Sequence, residues 1–320
     1  KVKYIELSTP LIIIENLLND LNFLEKKEKI LKIDIPGEGN MNLVIRVYSS
    51  LRTFIVKQSR PFVQKYPFIN APLNRIQVEK IFFEAIKDEY INKYFPEVLL
   101  YDENNKILIL KDLENSKDML SIYNSKEIEN DDGIIKIVEI LEGIHSTKIK
   151  IDYPLNYELR KLNHEHIFMI PYSKDNIIEE GLKEVFEDLV NDKEYIKAVK
   201  LLSDKYLEKG DSLLHGDYYP GSWLKNDKNE IFVIDPEFSY IGLREFDLGV
   251  MGAHLIIKTG DLNIISRIKN YYPSKIKINL MRQFAGVEII RRIIGVAKLP
   301  INRSINEKIH LIKIAKSLVV

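Results

Sequence analysis

The chain has 320 residues, 45% of them apolar and 29% charged, which fits a folded protein large enough for two lobes of roughly 100–200 residues and argues against disorder. Its 47 Lys and Arg balance 47 Asp and Glu, so it carries no electrostatic footprint for a long nucleic acid or an anionic membrane. It has no cysteine, which excludes disulfide scaffolds and thiolate sites. Apolar runs as short as that at 11–14 exclude a bilayer span, and the KVKYIELSTP start has no signal-peptide core, so a cytoplasmic protein is expected.

Thr9-Pro10 reads as an N-cap and first-turn proline, opening a helix to about residue 24. Short β-type runs follow at 30–35, 43–48 and 53–58, the first two joined across Gly37 and Gly39. Ile76, Phe83 and Ile86 fit an amphipathic helix over 75–90. A strand pair is predicted at 97–101 and 106–110, across Asp102-Glu103-Asn104-Asn105. Beyond this the pattern is helical, at 133–145, 179–190, 193–209, 244–257, 262–271, 278–296 and 305–318. One β-rich island interrupts it at 212–214, 222–225 and 231–234. The expected fold is therefore α+β in two parts: a small β-rich lobe over 1–111 and a larger helical lobe over 112–320.

Chemistry concentrates in that island. His215-Gly216-Asp217 follows an apolar run, and eighteen residues beyond Asp217 comes Asp235-Pro236-Glu237-Phe238, after a second run. One carboxylate can accept a proton from an attacking hydroxyl, and the other cluster can hold a divalent metal on a polyphosphate. Phosphoryl transfer needs both jobs done. Either half alone would read as turn residues.

The pair resembles the aminoglycoside phosphotransferase and choline kinase superfamily of small-molecule kinases, and within it most closely the 5-methylthioribose kinase family. Ser222 stands where related families place a metal-binding Asn, and Asp235-x-Glu237-Phe238 matches the metal motif, with Phe246-Asp247-Leu248-Gly249 a little further on. The resemblance runs from the first predicted helix to Ala297. It departs from the family at Tyr218-Tyr219, Leu243 and Lys298. It implies a protein-kinase-like fold, ATP and Mg²⁺ as cofactors, and a small sugar as partner, with a homodimer compatible. A protein-kinase role is not expected, because the chain has neither His-Arg-Asp nor Ala-Pro-Glu.

The first lobe agrees with it. The Gly37-x-Gly39-Asn40 turn would let the backbone approach phosphates. Lys57 closes an apolar strand, where it would hold the α- and β-phosphates. Glu79 or Glu84 could pair with it, and the resemblance favours Glu79. Residues 110–113, with Leu110 and Leu113 at the ends, would receive adenine through backbone groups.

Near the C-terminus, Glu288 shares a helix face with Arg291 and Arg292 on an otherwise apolar helix. Buried arginines need acceptors. By resemblance this twin arginine grips the ribose hydroxyls of methylthioribose, the 1-hydroxyl being the nucleophile. Another small hydroxyl substrate, of the aminoglycoside or choline type, is the alternative. The implied roles are base for Asp217, metal binding for Asp235, Glu237 and Ser222, and acceptor binding for Arg291, Arg292 and Tyr218. His145, His254 and Trp223 read as structural. His164 and His166 are spaced i, i+2, which does not place two metal ligands on one helix face, so they read as structural or substrate-lobe residues.

Overall fold

The computed structural model describes residues 2–37, 39, 41–124, 131–149, 152–299 and 301–320. The chain forms two compact units. The first is Lys1–Asp118 with Leu224–Phe238, and the second is Met119–Trp223 with Ser239–Val320. No helix among the described residues is long and apolar enough to cross a membrane.

In the first unit, α1 (Leu11–Asp20) lies over an antiparallel five-stranded sheet, order β1-β2-β3-β7-β6. The strands are β1 (Ile30–Asp34), β2 (Leu43–Ser49), β3 (Thr53–Gln58), β6 (Val98–Asp102) and β7 (Ile107–Lys111). Period-2 alternation sends Ile45, Val47, Phe54, Val56, Ile107 and Ile109 to one face, where they form a core with Ile14, Leu17 and Leu18 of α1. Lys57, between Val56 and Gln58 in β3, is thereby turned to the opposite face.

Several predicted boundaries shift. α1 stops at Asp20, because Asn22 takes a positive φ of 54°. A hairpin of β4 (Phe62–Val63) and β5 (Tyr66–Asn70) was not legible, since Pro61, Pro67 and Pro72 break any alternation. The helix predicted over 75–90 is broken at Ile86, whose backbone is extended. It becomes α2 (Arg75–Ala85) and a short α3 (Glu89–Asn92) capped by the Asp88 side chain.

The division of the chain differs from a simple cut at residue 111. The strand β8 (Lys117–Asp118) pairs with β10 (Trp223–Lys225), Leu224 opposite Asp118, and β11 (Ile231–Val233) extends this small sheet. Val233 N–H also donates to Tyr94 O at 2.8 Å. Backbone pairing between distant segments thus carries residues 224–238 into the first unit.

The second unit is mainly helical: α4 (Asp131–His145), α5 (Tyr157–His164), α6 (Lys183–Asn191), α7 (Lys193–Leu207), α8 (Glu245–Thr259), α9 (Asn263–Tyr271), α10 (Ile278–Ile294) and α11 (Ile305–Val319). No helix is predicted over α5, because YELRKLNH is short and mostly polar. It continues into a π-helical turn, Glu165–Met169. The helices α8 and α10 are buried along most of their length. Gly249 permits their approach, since a Cβ there would meet the Phe284 Cβ at 2.6 Å. The strand β9 (Ser212–Leu214) pairs with β12 (Tyr240–Gly242) and leads directly into His215.

Candidate active site

Two clusters of buried charge, one in each unit, hold the predicted site residues. In the first, Lys57 is 3% exposed and bridges two carboxylates, Glu79 Oε1 at 2.5 Å and Asp235 Oδ1 at 2.6 Å. The competing carboxylate, Glu84, is bound instead to Lys80 at 2.6 Å, one turn back on α2. Burial would push the Lys57 ammonium down, but Asp235, Glu79 and Glu237 outweigh it and hold the group above its ordinary value. Burial pushes the Glu79 carboxyl up, against the pull of Lys57.

Asp235 is the accessible member, with 40% of its side chain exposed. Its backbone is in the left-handed region, φ 63°, a conformation that Asp tolerates better than most residues. The next turn, Pro236–Phe238, buries Glu237. Its Oε2 accepts from Asn42 Nδ2 at 3.0 Å and lies 3.3 Å from Arg75 Nε. Arg75, fully buried at the start of α2, also donates to Asn42 Oδ1 and to the carbonyls of Met41, Arg60, Phe62 and Pro72. One guanidinium therefore fixes the turn before β2, the start of α2 and Glu237. Burial pushes the Glu237 carboxyl up to about 7, against Arg75 and Lys57. Neither Asn42 nor Arg75 was read as a site residue. Their role depends on contacts 33 and 195 residues apart in sequence, which spacing does not reveal.

Gly37 and Gly39 lie in the turn before β2, and neither has a positive φ. A Cβ at Gly37 would only touch Asp118 Oδ2, at 3.8 Å. Asn40 falls outside the described residues. Leu110 sits inside β7 between β3 and β6, its backbone engaged in the ladder, so the adenine-receiving stretch expected at 110–113 cannot begin there. Leu113, half-buried, follows the strand and lines a cavity of about 500 Å³ with Phe83, Phe95, Val98 and Phe232.

The second cluster is built on the loop after β9. His215 N–H and Gly216 N–H donate to the two oxygens of Asp247, at 2.7 and 3.0 Å. Gly216 turns the chain with φ 87°, which a side chain would oppose. Asp217 N–H donates to His215 Nδ1 at 3.3 Å. Asp247 sits in the first turn of α8, fully buried, and His145 Nε2 lies 3.3 Å from it. His145 Nδ1 in turn meets the Tyr272 hydroxyl at 2.9 Å, so this histidine is structural, as expected.

The loop presents Asp217 with 18% of its side chain exposed. Arg292 Nη2 donates to its Oδ1 at 2.9 Å, and Arg291 Nη1 lies 4.0 Å from the same oxygen. Glu288 holds both arginines from below, Arg292 Nε at 2.5 Å and Arg291 Nη1 at 3.0 Å. Two carboxylates and two guanidiniums make the cluster neutral, which is how such groups persist when buried. Burial would push Glu288 up, but the two arginines hold it well below the usual carboxylate range. The buried Nε of Arg291 has no hydrogen-bond partner among the described residues.

One reading changes. Tyr218, expected at the acceptor, is fully buried. Its hydroxyl donates to Ile137 O at 2.8 Å and its ring packs on Trp223. The tyrosine beside the arginines is Tyr219, whose ring lies 4.6 Å from the Arg292 guanidinium. Ser222 donates its hydroxyl to Asp217 O at 2.9 Å, bracing the loop. His164 bonds Ser203 Oγ at 2.6 Å, and His166 feels Arg291, with burial the larger cause of its lowered basicity.

The phosphotransferase enzyme family matches residues 36–273. The methylthioribose kinase of Geobacillus sp. (strain WCH70) is 29% identical over an alignment that covers 82% of this chain and 77% of that protein. The methylthioribose kinase of Bacillus cereus (strain ATCC 14579) is 26% identical over an alignment that covers 78% of this chain and 64% of that relative's length. Among solved structures, choline kinase LicA from Streptococcus pneumoniae superposes with a TM-score of 0.56 at 16% identity, over 96% of this chain and 98% of that one. That likeness places the fold among the kinase-like phosphotransferases.

Proposed function

We propose that this chain, which belongs to the phosphotransferase enzyme family, transfers the γ-phosphoryl group of ATP to a hydroxyl of a small sugar, methylthioribose or a close ribose analogue. The observation that carries the acceptor reading is the contact of Arg292 with Asp217, flanked by Arg291. It joins a pair of hydroxyl-binding cations to a carboxylate able to take a proton. A cationic acceptor such as choline or an aminoglycoside would meet two arginines there.

Asp217 is the base. Arg292 occupies Oδ1, leaving Oδ2 to accept the acceptor's hydroxyl proton as the oxygen bonds to phosphorus and ADP departs. Arg291 grips the acceptor, its guanidinium standing 4.0 Å from the base. In the first unit Lys57, held by Glu79, binds the α- and β-phosphates. The turn of Gly37 and Gly39 before β2 lets the backbone approach the phosphates. Adenine is received at Asp112 and Leu113.

Magnesium fits the donor set. It takes one or two carboxylates and otherwise prefers water and phosphate oxygens, and the exposed carboxylate of Asp235 offers this. Asp235 would hold the ion, with Glu237 behind it. When bound, the ion neutralises phosphate charge.

The test is ADP release from Mg·ATP across 5-methylthioribose, ribose, choline and an aminoglycoside. Turnover with 5-methylthioribose is expected. Turnover confined to choline or the aminoglycoside would overturn the acceptor reading.

A further inference from the structure

Beneath the two arginines runs a line of buried hydrogen bonds that the roles above do not use. The Tyr123 hydroxyl bonds His254 Nδ1, and His254 Nε2 lies 3.2 Å from Glu288 Oε1. The same carboxylate receives Arg292 Nε, and Arg292 Nη2 reaches Asp217. Tyr123 is 8% exposed, His254 0% and Glu288 1%. The residues come from three places, namely the turn Leu120–Tyr123, the middle of α8 and the last turns of α10.

The chemistry gives the line a direction. An ionised carboxylate only accepts, so His254 Nε2 carries the hydrogen and donates to Glu288. A neutral imidazole then has a bare Nδ1, which accepts from the Tyr123 hydroxyl. Burial, with Arg292 as a further cause, pushes His254 down to about 4, which keeps the ring neutral. The groups facing the ring are Tyr123, Tyr219, Glu288, Arg292 and Asp217. The Tyr219 ring lies 5.0 Å from the His254 ring, tilted 42° to it, and 4.6 Å from the Arg292 guanidinium. The Tyr123 and His254 donors thus run toward Glu288, which also accepts from Arg292 Nε, and Arg292 Nη2 donates onward to Asp217.

We propose that Tyr123 and His254 are positioning residues for phosphoryl transfer, fixing the Glu288 carboxylate so that it sets the planar guanidinium of Arg292 against Asp217. The assignment rests on Asp217 being the base. Arg292 bonds through two nitrogens of one rigid fork, so a rotation of Glu288 tilts the group that holds the base. A misplacement of about 1 Å at such a site costs roughly 100-fold in rate.

The test compares Tyr123→Phe, which keeps the ring and removes only the hydroxyl, with His254→Leu and His254→Gln. The assay uses the acceptor that releases ADP in the panel above. Tyr123→Phe should lower kcat roughly 10-fold and His254→Leu roughly 100-fold, with the KM for Mg·ATP within about twofold of the parent. His254→Gln, whose amide nitrogen can still donate to Glu288, should recover to within about 5-fold of the parent. A merely structural role would lower the melting temperature and leave kcat unchanged. Where His254→Leu does not fold, Tyr123→Phe and His254→Gln decide. Asp217→Asn separates the two readings. Turnover persisting in that variant would unseat the base. An inactive Asp217→Asn beside unchanged kcat in Tyr123→Phe and His254→Leu would overturn the positioning role alone.

Discussion

Arg292 spans two carboxylates with one guanidinium, Glu288 through Nε at 2.5 Å and Asp217 through Nη2 at 2.9 Å. A lysine carries the same charge but has a single nitrogen, so it can satisfy only one of them well. Arg292→Lys should therefore reduce kcat by roughly 10- to 100-fold while the KM for Mg·ATP stays within about twofold. Steady-state kinetics with varied acceptor and varied ATP measure both. Parent-like kcat in a folded Arg292→Lys protein would mean that charge alone suffices and that the fork geometry has no part in the chemistry.

The pairing of Lys57 with Glu79 couples nucleotide binding to stability. Removing the ammonium leaves a fully buried carboxylate without its cation, a change that typically costs about 3–5 kcal/mol. Lys57→Met should lower the urea midpoint accordingly and should lose heat of binding in a Mg·ATP titration. Adding Glu79→Gln to it removes the stranded charge, so the double variant should regain much of the midpoint while still binding no nucleotide. A double variant no more stable than Lys57→Met would show that the carboxylate was not the source of the loss.

Asp247 anchors the loop that carries the base, by accepting from two consecutive backbone N–H groups. Asparagine at this position offers one oxygen and one NH₂, so one buried N–H loses its acceptor at about 1–3 kcal/mol. Asp247→Asn should melt earlier and lose kcat, since Asp217 is one or two residues beyond the freed N–H. Thermal melts paired with kcat at a temperature where the variant is fully folded would show it. Unchanged kcat there would confine Asp247 to stability.

Much of this was legible in the sequence for a chemical reason. Lys57, Asp217, Asp235 and the Arg291-Arg292 pair each stand at the end of an apolar run or on an apolar helix, where a charged residue is costly without a partner. What escaped was set by tertiary contact. Tyr218 and Tyr219 are adjacent in a loop, and no period says which ring turns into the core. Arg75 and Asn42 gain their meaning only when Glu237 arrives on the turn Pro236–Phe238. The placement of residues 224–238 in the first unit depends on a two-residue strand, β8, too short to leave a pattern. His254 was read as a satisfied buried histidine, and it is satisfied. Which partners satisfy it is what the sequence does not say.

Acid should weaken the second unit from near neutrality. His254 is neutral when folded, its basicity lowered to about 4 from 6.5 by burial and by Arg292. As pH falls from about 6.5 to about 4, the unfolded chain takes a proton that the folded one refuses, so this stability is full above about 6.5 and erodes by about 3 kcal/mol across that window. Glu288, held low by Arg291 and Arg292 despite its burial, adds a second loss once pH drops below its ordinary carboxylate value. Glu237 in the first unit has the opposite sign. Burial raises it to about 7, so the folded state there is favoured in mild acid and the contribution is lost as pH rises through 7. Hydrogen exchange at pH 7.5 and pH 5 should accordingly show peptides of α8 and α10 losing protection while those of α2 and the turn Pro236–Phe238 do not. His254→Gln, which cannot titrate, should flatten the response of α8 and α10 between pH 6.5 and 5. A response of equal slope in that variant would assign the acid sensitivity to groups other than His254.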